Sequence, residues 1–206
     1  MPLSLYLLAM AVFAMGTSEF MLAGLAPDIA ADLGVSVGTA GTPTSAFAIG
    51  MVVGAPLVAA LARSWPRRAG LLGFILAFAA AHAVAAGTTS FAVLFATRLV
   101  AALANAGFLA VALTAAATLV TPDKKGRALA VLLSGTTLAT IAGVPGGSLL
   151  GTLLDWRATF WAVAALCLPA ALGVLKGIPA GRAKEDPTGP DLRAEIAQLA
   201  RPPLIL

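Results

Sequence analysis

About six apolar runs, each close to the ~20 residues that a helix needs to cross bilayer hydrocarbon, constrain this chain more than any motif does. They are Leu3–Ala26, Gly38–Ala62, Ala69–Gly87, Phe91–Val120, Ala128–Leu154 and Ala158–Leu175. In lipid every backbone N–H and C=O must be satisfied internally, which leaves helices and closed barrels. The runs lack the period-two alternation of barrel strands, so they predict helices. Composition agrees, since 60% of residues are hydrophobic, 11% are charged and the mean hydropathy is +0.96, far outside the range of soluble domains. The reading is an all-α membrane protein with six transmembrane helices in residues 1–176. The first run has no Lys or Arg in residues 2–10, is longer than a signal-peptide core and leads into further spans, so it reads as a mature helix.

Orientation follows from the basic residues of the short loops. Of 13 Lys and Arg, all but Arg98 and Arg157 fall on one side: Arg63, Arg67 and Arg68 after the second run, Lys124, Lys125 and Arg127 after the fourth, and Lys176, Arg182, Lys184, Arg193 and Arg201 after the sixth. Arg157 shares the other side with Asp28, Asp32 and Asp155. This asymmetry predicts a multi-pass protein of the cytoplasmic membrane with both chain ends in the cytoplasm. The net charge of +4 is then a topology signal and predicts no nucleic-acid partner.

From Gly177 the character changes to Pro, Gly and charge, which reads as a cytoplasmic linker over 177–201 with a short surface helix at Asp191–Ala200. Residues 202–206, Pro202 to Leu206, turn apolar again and read as the start of a seventh helix cut short, so a carboxy-terminal six-helix half is expected to be missing. The single Cys167 excludes a disulfide within the chain and reads as a small hydrophobe.

Glu19 is a lone carboxylate inside the first run. An ionisable group at membrane depth costs about 2.5 kcal/mol or more, which makes it a functional-site candidate. Its plausible partner is Arg98 in the fourth run. Each lies about seven residues inside the outer end of its run, so both sit roughly 10 Å below the outer face. If they meet, a substrate entering between them could tip the balance between charge pairing and desolvation, as an exchange of proton for substrate requires. Two other readings stay open: a fixed buried pair that specifies packing, and direct binding of an anionic substrate by Arg98.

The fifth run contains Gly135-Thr136-Thr137-Leu138-Ala139-Thr140-Ile141-Ala142-Gly143-Val144-Pro145-Gly146-Gly147, with Gly151 a turn later. Glycines on one face let a neighbouring backbone approach, and Pro145 removes a hydrogen bond and bends the segment. This stretch resembles the antiporter signature of the twelve-helix drug:proton antiporters of the major facilitator superfamily. The stretch from Gly16-Thr17-Ser18-Glu19 in the first run to Leu33-Gly34-Val35-Ser36 beyond it resembles the opening of its chloramphenicol-resistance and sugar-efflux subgroup. Phe95-Ala96-Thr97-Arg98-Leu99 is similar to the family's arginine motif, which is implicated in proton transfer, although Ala101 and Ala102 stand where Gln and Gly are usual. Asp155-Trp156-Arg157 fits as a structural corner.

The resemblance implies the amino-terminal bundle of a transporter, built as 3+3 inverted repeats with the first and fourth helices lining a cavity. It implies proton-coupled efflux of small apolar drugs, chloramphenicol first. Glu19 would take a proton from outside and release it inside in competition with drug, and Arg98 would tune it. An exporter of sugars or other metabolites and a non-transporting membrane module are the alternatives.

The chain departs from the family between the second and third runs, where the signature carries an Asp. Here the charged residues from Gly54 to Arg68 are all basic, so Arg67 and Arg68 are left to anchor topology or touch anionic lipid headgroups, and Asp123 is the one nearby substitute acid. Asn105, Thr114 and Thr140 are candidate substrate contacts, with Ser45, Thr136 and Thr137 beside them; the bland alternative is interhelical hydrogen bonding. His82 could relay protons, but the third helix is peripheral in the family, so it reads as a lipid-facing or packing residue. No Cys or His cluster, catalytic triad or phosphate loop is present, so no enzyme activity, metal or cofactor is predicted; the partners are drug, protons and the lipid bilayer.

Overall fold

The computed structural model describes residues 1–62 and 65–178, with side chains described outside 59–64. Arg63, the expected linker beyond Ile178 with its surface helix, and the helix start at 202–206 lie outside the described residues.

The chain forms α1 (Leu3–Leu33), α2 (Val37–Ala62), α3 (Arg67–Gly87), α4 (Phe91–Thr118), a 3-10 turn at Pro122–Lys124, α5 (Lys125–Leu138), a π turn at Ala139–Gly143, α6 (Val144–Leu153) and α7 (Trp156–Gly177). The 3-10 turn, α5, the π turn and α6 make one span, Pro122–Leu153, so among the described residues 6 helical spans are long and apolar enough to cross a membrane. Two expectations need refinement. α1 runs past Ala26 to Leu33 with Pro27 inside it, and stops where Gly34 takes φ 64° and donates its N–H to the Ala30 carbonyl, a left-handed cap that glycine adopts without strain. The distortion expected at Pro145 lies on its N-terminal side: the π turn Ala139–Gly143 directly precedes α6, and the backbone stays in the right-handed helical region through Val144, so the span is bulged ahead of the proline and not broken at it.

The packing has an internal two-fold logic. α1 contacts the α5–α6 span and α7, α4 contacts α2 and α3 in the same way, and α3 packs on α7. Exchanging the first three spans for the last three leaves this pattern unchanged, as 3+3 inverted repeats require. The seams match as well. On the fifth span a Cβ at Gly135, Gly143, Gly147 or Gly151 would meet Ala9 and Phe13, Thr17, Met21 and Leu25 of α1 in turn. On α2, Gly50 and Gly54 abut Ala102 and Leu103 of α4, where a Cβ would lie 2.7 and 2.9 Å from side-chain carbons. Without a hydrophobic drive between helices in lipid, close backbone approach of this kind supplies the van der Waals contact that holds them together. Gly146, read with the motif, has nothing within 4 Å and takes no part in the seam.

The two ends of the bundle differ. One gathers Arg67, Arg68, Lys124, Lys125, Arg127 and Lys176, and there Ser4 Oγ donates to the Gly177 carbonyl at 2.7 Å. At the other end Arg157 bonds Asp32 at 2.6 Å and the Thr88 carbonyl at 3.0 Å, with its guanidinium 4.3 Å above the Trp156 ring. Asp155 caps α7 by accepting from the Arg157 N–H, and Trp156 Nε1 donates to Asp32 at 3.3 Å. The corner read from the sequence thus ties α1, the α3–α4 loop and α7 together. Arg157→Ala is expected to lower stability by about 1–2 kcal/mol, the sum of a partly exposed ion pair and a lost hydrogen bond, seen as a lower unfolding midpoint in detergent.

Candidate functional site

Ser18 and Glu19 are adjacent in α1, so their side chains diverge by about 100° around the axis. Ser18 is fully buried and faces the bundle, whereas Glu19 is half-buried and shares a face with exposed Phe20, Ala23 and Pro27. The other spans leave this side of α1 open.

Arg98 comes from α4 and is 1% exposed. Its Nη1 donates to Ser18 Oγ at 2.7 Å and its Nη2 to the Ser18 carbonyl at 2.9 Å. The guanidinium stacks over Phe47 of α2, 4.5 Å from the ring centre, with Phe160 of α7 at 6.0 Å. The matched depth of residues 18–19 and 98 is therefore real. The direct pair is not: among the described residues the salt bridges are those of Arg157 with Asp32 and Asp155. Arg98 takes the neighbouring residue as its partner because that side chain points inward and the carboxylate does not. Its Nε is buried without a hydrogen-bond partner, so the cation is held but incompletely satisfied.

His82 completes the cluster. It is 1% exposed on α3, stacked on Phe78 with ring centres 4.2 Å apart. Its Nδ1 lies 2.8 Å from the Phe78 carbonyl, which can only accept, so Nδ1 carries the proton. Nε2 then offers its lone pair to Ser18 Oγ at 2.5 Å and Arg98 Nη1 at 3.3 Å. Of the two bland readings from sequence, packing stands and lipid exposure does not, because α3 packs on both α4 and α7 and turns His82 between them. The sequence signal was the one His of an apolar run; its contacts lie 64 and 16 residues away, beyond the reach of any local pattern.

The other candidates are dispersed. Asn105 is buried on α4. The hydroxyls of Thr114 and Thr140 are exposed and bond carbonyls of their own helices, Ala110 and Val111 for the first and Thr137 for the second, so the interhelical bonds expected of them do not form. At the basic end Arg67 donates to Thr118 Oγ1 at 2.8 Å, fastening α3 to the end of α4, and Arg68 is partly exposed. Asp123 is exposed in its 3-10 turn and forms no ion pair among the described residues.

A six-span bundle with internal two-fold exchange and one polar cluster in its apolar middle is the architecture of a repeat-built, polytopic membrane protein. The chain belongs to the Major Facilitator Superfamily, whose model matches residues 8–206. It is 79% identical over its whole length to a chloramphenicol resistance protein of Streptomyces lividans, covering 53% of that protein. It is 33% identical to the inner membrane transport protein YdhP of Escherichia coli K12, over 96% of this chain and 50% of the relative. The crystal structure of the human organic anion transporter MFSD10 (TETRAN) shares the fold, with a TM-score of 0.65 and 21% identity over 86% of this chain and 46% of that one, and the bundle fits an amino-terminal half. The chain spans about half the length of the curated relatives it matches.

Proposed function

We propose that this chain is the drug- and proton-handling half of a proton-coupled exporter that moves small apolar drugs out of the cell, with chloramphenicol its first substrate. The observation that carries the reading is the division of labour at one level of α1. Ser18 turns inward to hold the buried Arg98, while Glu19, the one acid of the apolar run Leu3–Ala26, turns to the open face. A carboxyl group on that face can take up a proton from one side and surrender it to the other as the bundle rocks, and a drug seated there competes with the proton for the same low-dielectric volume. The 79% identical Streptomyces lividans protein, named for chloramphenicol resistance, supports the substrate. The gathering of Lys and Arg at one end supports a cytoplasmic placing of both α1's start and α7's end. Asn105, Thr114 and Thr140 are secondary candidates for substrate contact, and Gly135, Gly143, Gly147 and Gly151 would form the seam on which the bundle flexes.

Cells expressing the full-length protein are expected to accumulate less labelled chloramphenicol than control cells, and an uncoupler is expected to erase the difference. Equal drug levels with the protein present in the membrane would sink the chloramphenicol assignment in favour of an exporter of sugars or other metabolites. A difference that survives the uncoupler would remove the proton.

A further inference from the structure

The charge balance around Arg98 is unusual. A guanidinium 1% exposed has no carboxylate within salt-bridge distance among the described residues, and one of its N–H groups is an orphan. A buried cation with no ion-pair partner in contact is held by hydrogen-bond acceptors and ring faces alone, which makes its burial costly. The nearest acid along α1 is Glu19, one residue beyond the group that holds it. Something must keep Arg98 on Ser18 instead.

We propose that His82 is a positioning residue that, through Ser18, holds Arg98 away from Glu19 and so leaves the Glu19 carboxyl free to exchange its proton; this inference rests on the role given to Glu19 above. With Nδ1–H committed to the Phe78 carbonyl, the His82 ring presents a lone pair at Nε2. That lone pair draws the Ser18 hydroxyl hydrogen, which turns the oxygen's lone pairs toward Arg98 Nη1. It also accepts from Nη1 directly at 3.3 Å. Without Nε2, the Ser18 hydroxyl falls back on a carbonyl of its own helix, as serines in helices do, and the guanidinium keeps only the Ser18 carbonyl against the pull of a carboxylate. The groups facing His82 are Ser18 from α1, Arg98 from α4, Phe160 from α7 and Phe78 from its own helix. Arg98 is the one charged group among them, so the device depends on His82 staying neutral.

Two variants separate the lone pair from the packing. His82→Phe keeps a flat ring between Phe78 and Phe160 and deletes the acceptor. His82→Gln can place an amide oxygen near the Nε2 position and loses the ring. The readout is labelling of Glu19 by dicyclohexylcarbodiimide, which reacts with protonated carboxyl groups in membranes, measured on the full-length protein in liposomes and located by mass spectrometry. In His82→Phe, Arg98 turns to Glu19 and labelling is expected to fall about tenfold, the effect of one nearby opposite charge; in His82→Gln it is expected to stay at the wild-type level. Ser18→Ala, which changes almost no volume, is expected to reproduce the fall and serves if His82→Phe does not reach the membrane. Wild-type labelling in His82→Phe, or an equal fall in both His82 variants, would overturn the inference. Because labelling needs no drug, a failure here is distinct from a failure of drug export.

Discussion

With Glu19→Gln, cells expressing the full-length protein are expected to accumulate as much labelled chloramphenicol as cells that lack it, with or without an uncoupler. The substitution preserves the shape of the side chain and removes the proton it carries, so the cycle loses the step that couples gradient to drug. The protein itself should be undisturbed. Glu19 forms no ion pair among the described residues and lies on the open face of α1, so no partner is orphaned, and a neutral amide is cheaper at membrane depth than an ionised carboxylate. Membrane levels equal to wild type, measured by immunoblot, are therefore part of the expected result. Retention of uncoupler-sensitive export by Glu19→Gln would remove Glu19 as the carrier and shift attention to the carboxy-terminal half.

A methyl group at Gly135 should have an effect of comparable size by a different route. A Cβ there would lie against the Ala9 carbonyl oxygen and 2.9 Å from the Phe13 backbone nitrogen. Backbone cannot rotate away as a side chain can, so α1 and α5 must separate along the seam that also carries Gly143, Gly147 and Gly151. Overpacking of this kind costs about 3 kcal/mol, more than the ~1 kcal/mol that alanine gains over glycine in helix propensity. Gly146→Ala, in the same span and with nothing within 4 Å, has the propensity gain alone. Unfolding midpoints in detergent should therefore fall sharply for Gly135→Ala and stay level or rise for Gly146→Ala. Equal midpoints would mean that the seam is looser than its geometry indicates.

These two positions also mark what a linear sequence reveals. Gly135 stands in a stretch whose glycine spacing already pointed to close helix contact, and the structure supplied the partner, α1. Gly50 and Gly54 do the same work on α2, yet they gave no signal, because two small residues in an apolar run are unremarkable until the opposing helix is known. Glu19 was conspicuous as the single acid of its run, whereas His82, an equally isolated polar residue, read as peripheral.

What the sequence by itself determined is whatever depends on distance along the chain: six spans, their helical character, the basic end, the depth shared by Glu19 and Arg98, and the glycine stretch of the fifth span. Bilayer thickness and backbone satisfaction impose these locally, on each segment alone. What only the tertiary structure decided is which way each helix is rotated and which neighbour it meets. A turn of about 100° per residue separates a side chain that faces Arg98 from one that faces open space, and so Ser18, not Glu19, receives the cation. His82 joined them because α3 packs on α4 and α7 and delivers its one imidazole to the same point, a juxtaposition of residues 18, 82 and 98 that no local periodicity encodes.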